Sequence, residues 1–184
     1  MPERGRTLIV GPSNVGKTTA TAEALERWLE SHGPQGVVVL DFAPEVERDG
    51  RVLGGRLDRV TEIPETVVYA VLDAHAPRSE GADDEEALAL ARDNAERARE
   101  LFDEAPTDPT AVFVNDATIP FQADGDIGPL RGYCEGSELV VANAFESDEL
   151  GTESPVSRHE RTALTELREW ADRVMELDGQ RGRD

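Results

Sequence analysis

The chain has 184 residues, enough for one domain with a substantial core, and sets 39 acidic residues against 19 basic ones for a net charge of −20. That balance, with a pI near 4.4, excludes general affinity for nucleic acid or for anionic membranes, whose charge it repels. A single cysteine, Cys134, excludes an internal disulfide, and no apolar run reaches the roughly 18 residues of a membrane helix.

Residues 7–10, Thr-Leu-Ile-Val, predict a short buried strand. The next eight, residues 11–18, read Gly-Pro-Ser-Asn-Val-Gly-Lys-Thr. They fit the pattern G-x-x-x-x-G-K-[ST], whose backbone N–H groups cradle phosphate oxygens. Lys17 is the only lysine in the chain; the other 18 basic residues are arginines. A compact ammonium suits a phosphate contact at this position better than a planar guanidinium. A helix is predicted from Lys17 to about residue 31, with Ala20, Ala24, Leu25, Trp28 and Leu29 on its apolar stripe. Gly33, Pro34 and Gly36 end it.

Further strands are predicted at residues 37–40, 66–72, 111–114 and 139–142, each a nearly continuous apolar run. A sixth, short edge strand is expected at 173–177. Between the third and fourth strands, residues 83–105 repeat apolar positions at three- and four-residue spacing. Asp83, Asp84, Glu85 and Glu86 crowd the first turn of this helix, where the dipole favours negative charge. Another helix is expected over 158–172, with Leu164, Leu167 and Ala171 inward. Residues 42–64 read as a long acidic loop, and the stretch after Asp116 as a second one rich in Gly and Pro. Alternating apolar strands and helices predict a three-layer α/β/α sandwich with a mostly parallel sheet and a phosphate-binding loop. Residues 1–178 are expected to form one nucleotide-binding domain and 179–184 a flexible tail.

The high acidity is not read as disorder, because 38% of the residues are apolar and fall in regular segments. It predicts a folded protein from a halophilic, haloarchaeal source, whose surface charge is screened at molar salt. Its melting temperature should rise between about 0.1 M and about 3 M KCl, where the Debye length falls below about 3 Å; an unchanged value would contradict that origin. The N-terminus runs into the first strand without a leader-like apolar segment, so the cytoplasm is the expected compartment.

The loop assigns Gly11, Pro12, Ser13, Asn14, Val15, Gly16, Lys17, Thr18 and Thr19 to nucleotide binding. Lys17 is expected on the terminal phosphates and the Thr18 hydroxyl on Mg2+. A carboxylate near that metal should come from the carboxyl end of a buried strand. Asp41, Asp73 and Asp116 all qualify; Asp116 leads as a metal ligand, with Asp73 behind it. Asp41, which opens the long loop beside Phe42, has a second possible role as an acid or base next to an acceptor hydroxyl. Arginines could stabilise transferring phosphoryl charge. Arg56 and Arg131 lead because glycines surround them, with Arg78, Arg158 and Arg161 as further candidates.

On the residues 11–18 the chain resembles the P-loop nucleoside triphosphate hydrolase superfamily, and Asp116 resembles its Walker B acid. In layout it is similar to the RecA-like group that includes the corrinoid adenosyltransferases. In those proteins a second acid usually follows the first directly, whereas Ala117 follows Asp116 here. The resemblance implies ATP and Mg2+ as cofactors, with hydrolysis of ATP or transfer from it to a small-molecule acceptor. A nucleotide-dependent regulatory module is the alternative. A guanine-reading Asn-Lys-x-Asp segment is absent, since the one lysine is at position 17.

Overall fold

The computed structural model describes residues 4–48, 51–53, 55–147 and 153–178, with backbone alone for 46–48 and 51–53. The expected tail at 179–184 lies outside the described residues. Six strands form the main sheet: β1 (Gly5–Gly11), β2 (Val37–Asp41), β5 (Val68–Val71), β6 (Ala111–Asn115), β7 (Leu139–Phe145) and β8 (Arg173–Glu176). Their order is β5-β2-β6-β7-β1-β8, and every pairing is parallel. Two three-residue strands, β3 (Val46–Arg48) and β4 (Arg51–Leu53), make a separate antiparallel hairpin.

The central strands are continuously apolar because both of their faces are covered. Leu8 and Val10 of β1 point to one layer with Val38, Leu40, Val112, Val114, Val140 and Ala142. Ile9 joins Val37, Val39, Phe113 and Val141 in the opposite layer. Alternate residues of one strand therefore enter different cores, as the two-residue period of a strand requires. Fully burying a side chain such as Phe113 contributes about 1.5–3 kcal/mol, so the sheet is held from both sides.

Helix α1 (Lys17–His32) covers one face, burying Ala22, Leu25 and Trp28. The other face carries α3 (Asp84–Glu104), α4 (Gly128–Tyr133) and α5 (Pro155–Trp170). In α3 the buried positions are small, Ala87, Ala91, Ala95 and Ala98, which lets the helix lie close to its neighbours. Asp83 caps it by accepting from the Glu86 N–H, and the Glu86 carboxylate reaches back to the Ala82 N–H at 2.8 Å. Helix α5 starts at Pro155, three residues earlier than the apolar pattern predicts. Ser154 caps it through the Ser157 N–H, and proline suits the first helical position.

Both predicted loops contain ordered pieces. The 42–64 stretch holds the β3–β4 hairpin and a 3-10 turn at Leu57–Arg59. The stretch after Asp116 holds a 3-10 turn at Ile119–Phe121 and helix α4. A four-residue helix, α2 (Pro77–Glu80), follows β5 and was not expected from the sequence. Cys134 is buried, and desolvation pushes its thiol up to about 12, which keeps it an unreactive apolar filler. Among the described residues no helix is long and apolar enough to cross a membrane.

Candidate functional site

Two clefts of similar size lie at opposite ends of the sheet. The one at the carboxyl ends of the strands has a volume of about 570 Å³. The other, about 550 Å³, is lined by Gly5, Arg6, Ser137 and Asp172 near the strands' amino ends. Open parallel sheets present their chain reversals and helix N-termini at the carboxyl edge. Only the first cleft carries such a helix start together with opposed charges.

The loop from Gly11 to Thr18 forms one wall of that cleft. Gly11 is a glycine by necessity, because a Cβ there would collide with the Leu177 carbonyl oxygen. Gly16 adopts φ 93° directly before α1, a region that side chains oppose. Asn14 also takes a left-handed conformation, φ 62°. The first intrahelical bond of α1 runs from the Ala20 N–H to the Gly16 carbonyl, and no side chain caps the helix. A helix start without a side-chain cap presents its first-turn N–H groups at the cleft wall, which is the arrangement that attracts anions. Lys17 is buried; its Nζ donates to the Pro12 carbonyl and lies 5.9 Å from the Phe145 ring centroid. Ser13, Asn14, Gly16, Lys17, Thr18 and Thr19 line the cleft, while Gly11, Pro12 and Val15 do not.

Behind the loop, polar side chains from four adjacent strands join in one network. The Thr18 hydroxyl donates to Asn115 Oδ1 at 3.3 Å. Asn115 Nδ2 donates to Asp41 Oδ1 at 2.9 Å and to the Gly55 carbonyl at 2.8 Å. Asn143 Nδ2 donates to Asn115 Oδ1 and to the Thr21 hydroxyl, both at 2.9 Å. Asp41 is fully buried and accepts from the Leu57 N–H at 2.6 Å and the Tyr69 hydroxyl at 2.8 Å. Burial, then the Asp41 carboxylate beside it, raises the Tyr69 pKa and keeps the phenol a donor. Strand register brings these groups together: Asp41 pairs with Asn115 across β2 and β6. The network ties together the ends of β2, β6 and β7 with Tyr69 of β5 beneath the cleft.

Of the three strand-end carboxylates, Asp116 is the one that lines the cleft. Its backbone takes φ 54°, and its N–H donates to Asn143 Oδ1 at 3.0 Å. Desolvation pushes its carboxyl up to about 6; Lys17 opposes that shift, while Asp41 and Glu160 add to it. A non-glycine residue held at positive φ costs free energy, and such positions cluster at functional sites.

Several sequence candidates sit elsewhere. Asp41 does not face the cleft; all its oxygens are engaged in the buried network. Asp73 is almost fully exposed and pairs with Arg97 at 3.4 Å, away from Thr18. Arg56 lies against Glu45 at 3.6 Å and does not line the cleft. Arg131 lines the other cleft, at the amino end of the sheet. The structure does not bring these four into the lining of the Lys17 cleft. Position at a strand end or beside a glycine, the signal that nominated them, does not encode which way a side chain turns.

Three residues with a stronger claim were given little or no weight by sequence alone. Asn115, rather than an acid, faces Thr18. Arg78 and Glu160 both line the cleft and form an ion pair there. A sequence signal for Glu160 did exist: it lies four residues before Leu164 on the buried stripe of α5, an acid where an apolar residue belongs. Comparison with protein-family models finds no match, and comparison with curated proteins finds none either. Function is therefore argued from the site and not from kinship.

Proposed function

We propose that the Gly11–Thr18 loop binds a nucleoside triphosphate, ATP, together with Mg2+, and that the chain hydrolyses it or transfers from it to a small-molecule acceptor. The observation that carries this reading is the uncapped start of α1, with Lys17 folded across it, opening on a cleft that also holds Asp116. The residues fit the group. Gly16 brings backbone to the cleft, and the Thr18 hydroxyl and Asp116 offer hard oxygen ligands. Mg2+ bound beside nucleotide phosphates takes only one or two protein carboxylates, with water and phosphate completing its shell. When bound it would neutralise charge on the phosphate oxygens.

The chain's own groups then divide the work. The loop N–H groups hold phosphate oxygens, and Lys17 exchanges the Pro12 carbonyl for a phosphate contact. The buried Asp41–Asn115–Asn143 network keeps Thr18 in place. Asp116, which follows β6 and lines the cleft, would offer a carboxylate oxygen to Mg2+, leaving the phosphate contacts to the loop N–H groups and Lys17.

One observation favours the regulatory alternative. The group next to Thr18 is the neutral amide of Asn115, so the metal ligand set has one carboxylate fewer than two adjacent acids would give. That composition suits slow turnover, with binding ordering the loops around the cleft. Phosphate release from Mg-ATP by the full chain at high salt distinguishes the two readings. A rate that falls at least about 100-fold in Lys17→Ala, the scale of losing a group that stabilises phosphoryl charge, supports the enzyme. Binding with neither phosphate release nor ADP formation, alone and with candidate small-molecule acceptors, supports the regulatory module. Turnover unchanged in Lys17→Ala would defeat both.

A further inference from the structure

The cleft holds a second cation that the proposed function leaves unused. Arg78 is the second residue of the short helix α2 and lines the same cleft as Lys17. Its guanidinium lies 5.8 Å from the Phe145 ring centroid, and Lys17 Nζ lies 5.9 Å from the same ring. Phe145 pairs in register with Gly11, the first residue of the loop. One aromatic side chain next to the loop therefore carries two cations from separate elements.

Arg78 is held from behind. Its Nη1 donates to Glu160 Oε2, and the side chains are 17% and 7% exposed. Glu160 is itself fixed, since its Oε1 accepts from the Thr118 hydroxyl and from Gln122 Nε2, both at 2.9 Å. A guanidinium has five N–H donors in a rigid fork. Among the described residues only Nη1 has a protein acceptor, so the fork retains donors for a ligand in the cleft. A buried pair is weak support for stability, because desolvation offsets most of its attraction. Pre-positioning a charge for an anion gives this pair a purpose that stability does not.

We infer that Arg78 contacts the terminal phosphate of the bound nucleotide and that Glu160 positions it, so that the site distinguishes a triphosphate from a diphosphate. The inference rests on the nucleotide reading above. The inner phosphates belong to the loop and the α1 N-terminus. The outermost phosphate is the group that a cation on α2, beyond the Phe145 ring, adds contact to.

Calorimetric titration of the full chain with Mg-ATP and with Mg-ADP tests it. Two variants are compared with the wild type: Arg78→Lys, and the double variant Arg78→Met with Glu160→Gln, which leaves no unpaired buried charge. Losing charge-assisted hydrogen bonds should weaken ATP binding about 10- to 100-fold while ADP affinity moves less than about threefold. Normal ADP binding also certifies that the variants are folded. If both variants lose ATP and ADP equally, or lose neither, the inference about Arg78 is overturned while the nucleotide site stands. If the wild type binds neither nucleotide, the nucleotide reading and this inference fall together.

Discussion

Asp41→Ala is expected to yield no stably folded protein. The Asp41 carboxylate is fully buried and accepts from the Ala43 N–H, the Leu57 N–H, the Tyr69 hydroxyl and Asn115 Nδ2. Alanine would leave these donors in a space that water does not reach. Each unsatisfied buried donor costs about 1–3 kcal/mol, and a typical domain has about 5–15 kcal/mol in total. For four donors the loss is about 4–12 kcal/mol, which overlaps the whole stability of an ordinary domain. The damage would spread along the sheet ends, because Asn115 also holds Thr18 through its own oxygen and Asn143 through the same atom. Urea unfolding followed by circular dichroism, at the salt concentration that best stabilises the wild type, reads the effect. A variant that unfolds within about 1 kcal/mol of the wild type would mean that the donors find water, and that the network does not hold the sheet ends as described.

Asp116→Asn is expected to act in the opposite direction on stability while impairing function. The folded carboxyl, raised to about 6 from an ordinary 3.8, holds its proton more tightly than the unfolded chain does. The folded state therefore loses stability as pH rises through that window and stays penalised above it. Asparagine removes the penalty. It also tolerates the left-handed backbone that Asp116 adopts better than most residues do. In the metal-free protein the variant should gain on the order of 1–3 kcal/mol at pH 7.5. The gain should shrink as pH falls from about 6 towards 4, where both states of the wild-type carboxyl become protonated. Phosphate release should fall roughly 100-fold or more, the scale of losing a group that supports transition-state charge, here through the metal. A variant that is less stable than the wild type at pH 7.5, or equally active, would remove Asp116 from the role given to it. A stability gain with lost activity is the signature of a residue kept for function at a cost to folding.

Much of the architecture was legible because the signals were local and redundant. Val37 to Leu40 and Ala111 to Val114 are apolar at every position, which a strand shows when both faces are covered. The buried alanines of α3 keep helical spacing over the whole element. The hairpin at Val46–Arg48 and Arg51–Leu53 escaped notice because three residues cannot display a two-residue period convincingly. Helix α2 is a single turn and has no stripe to read.

The site was legible only in part. Residues 11–18 form a contiguous segment, so their spacing alone outlines a loop. The carboxylates were different: Asp41, Asp73 and Asp116 all end apolar strands, and nothing local says which turns inward, outward or back into a network. The order β5-β2-β6-β7-β1-β8 decides it, by setting Asp41 beside Asn115 and leaving Asp73 next to an edge strand. Arg78 and Glu160 are 82 positions apart, and only the tertiary fold makes them a pair. Arg56 and Arg131 drew attention through neighbouring glycines, yet a glycine-rich loop at one end of a sheet looks the same in sequence as one at the other.

The claim that the Gly11–Thr18 loop is a nucleotide site is tested most directly by calorimetric titration of the purified full chain with ATP in the presence of Mg2+. A single site is expected, lost on chelation of the metal and weakened at least about 100-fold, or about 2.7 kcal/mol, in Lys17→Ala. Absence of binding by the folded wild type, or undiminished affinity in a folded Lys17→Ala variant, would contradict it.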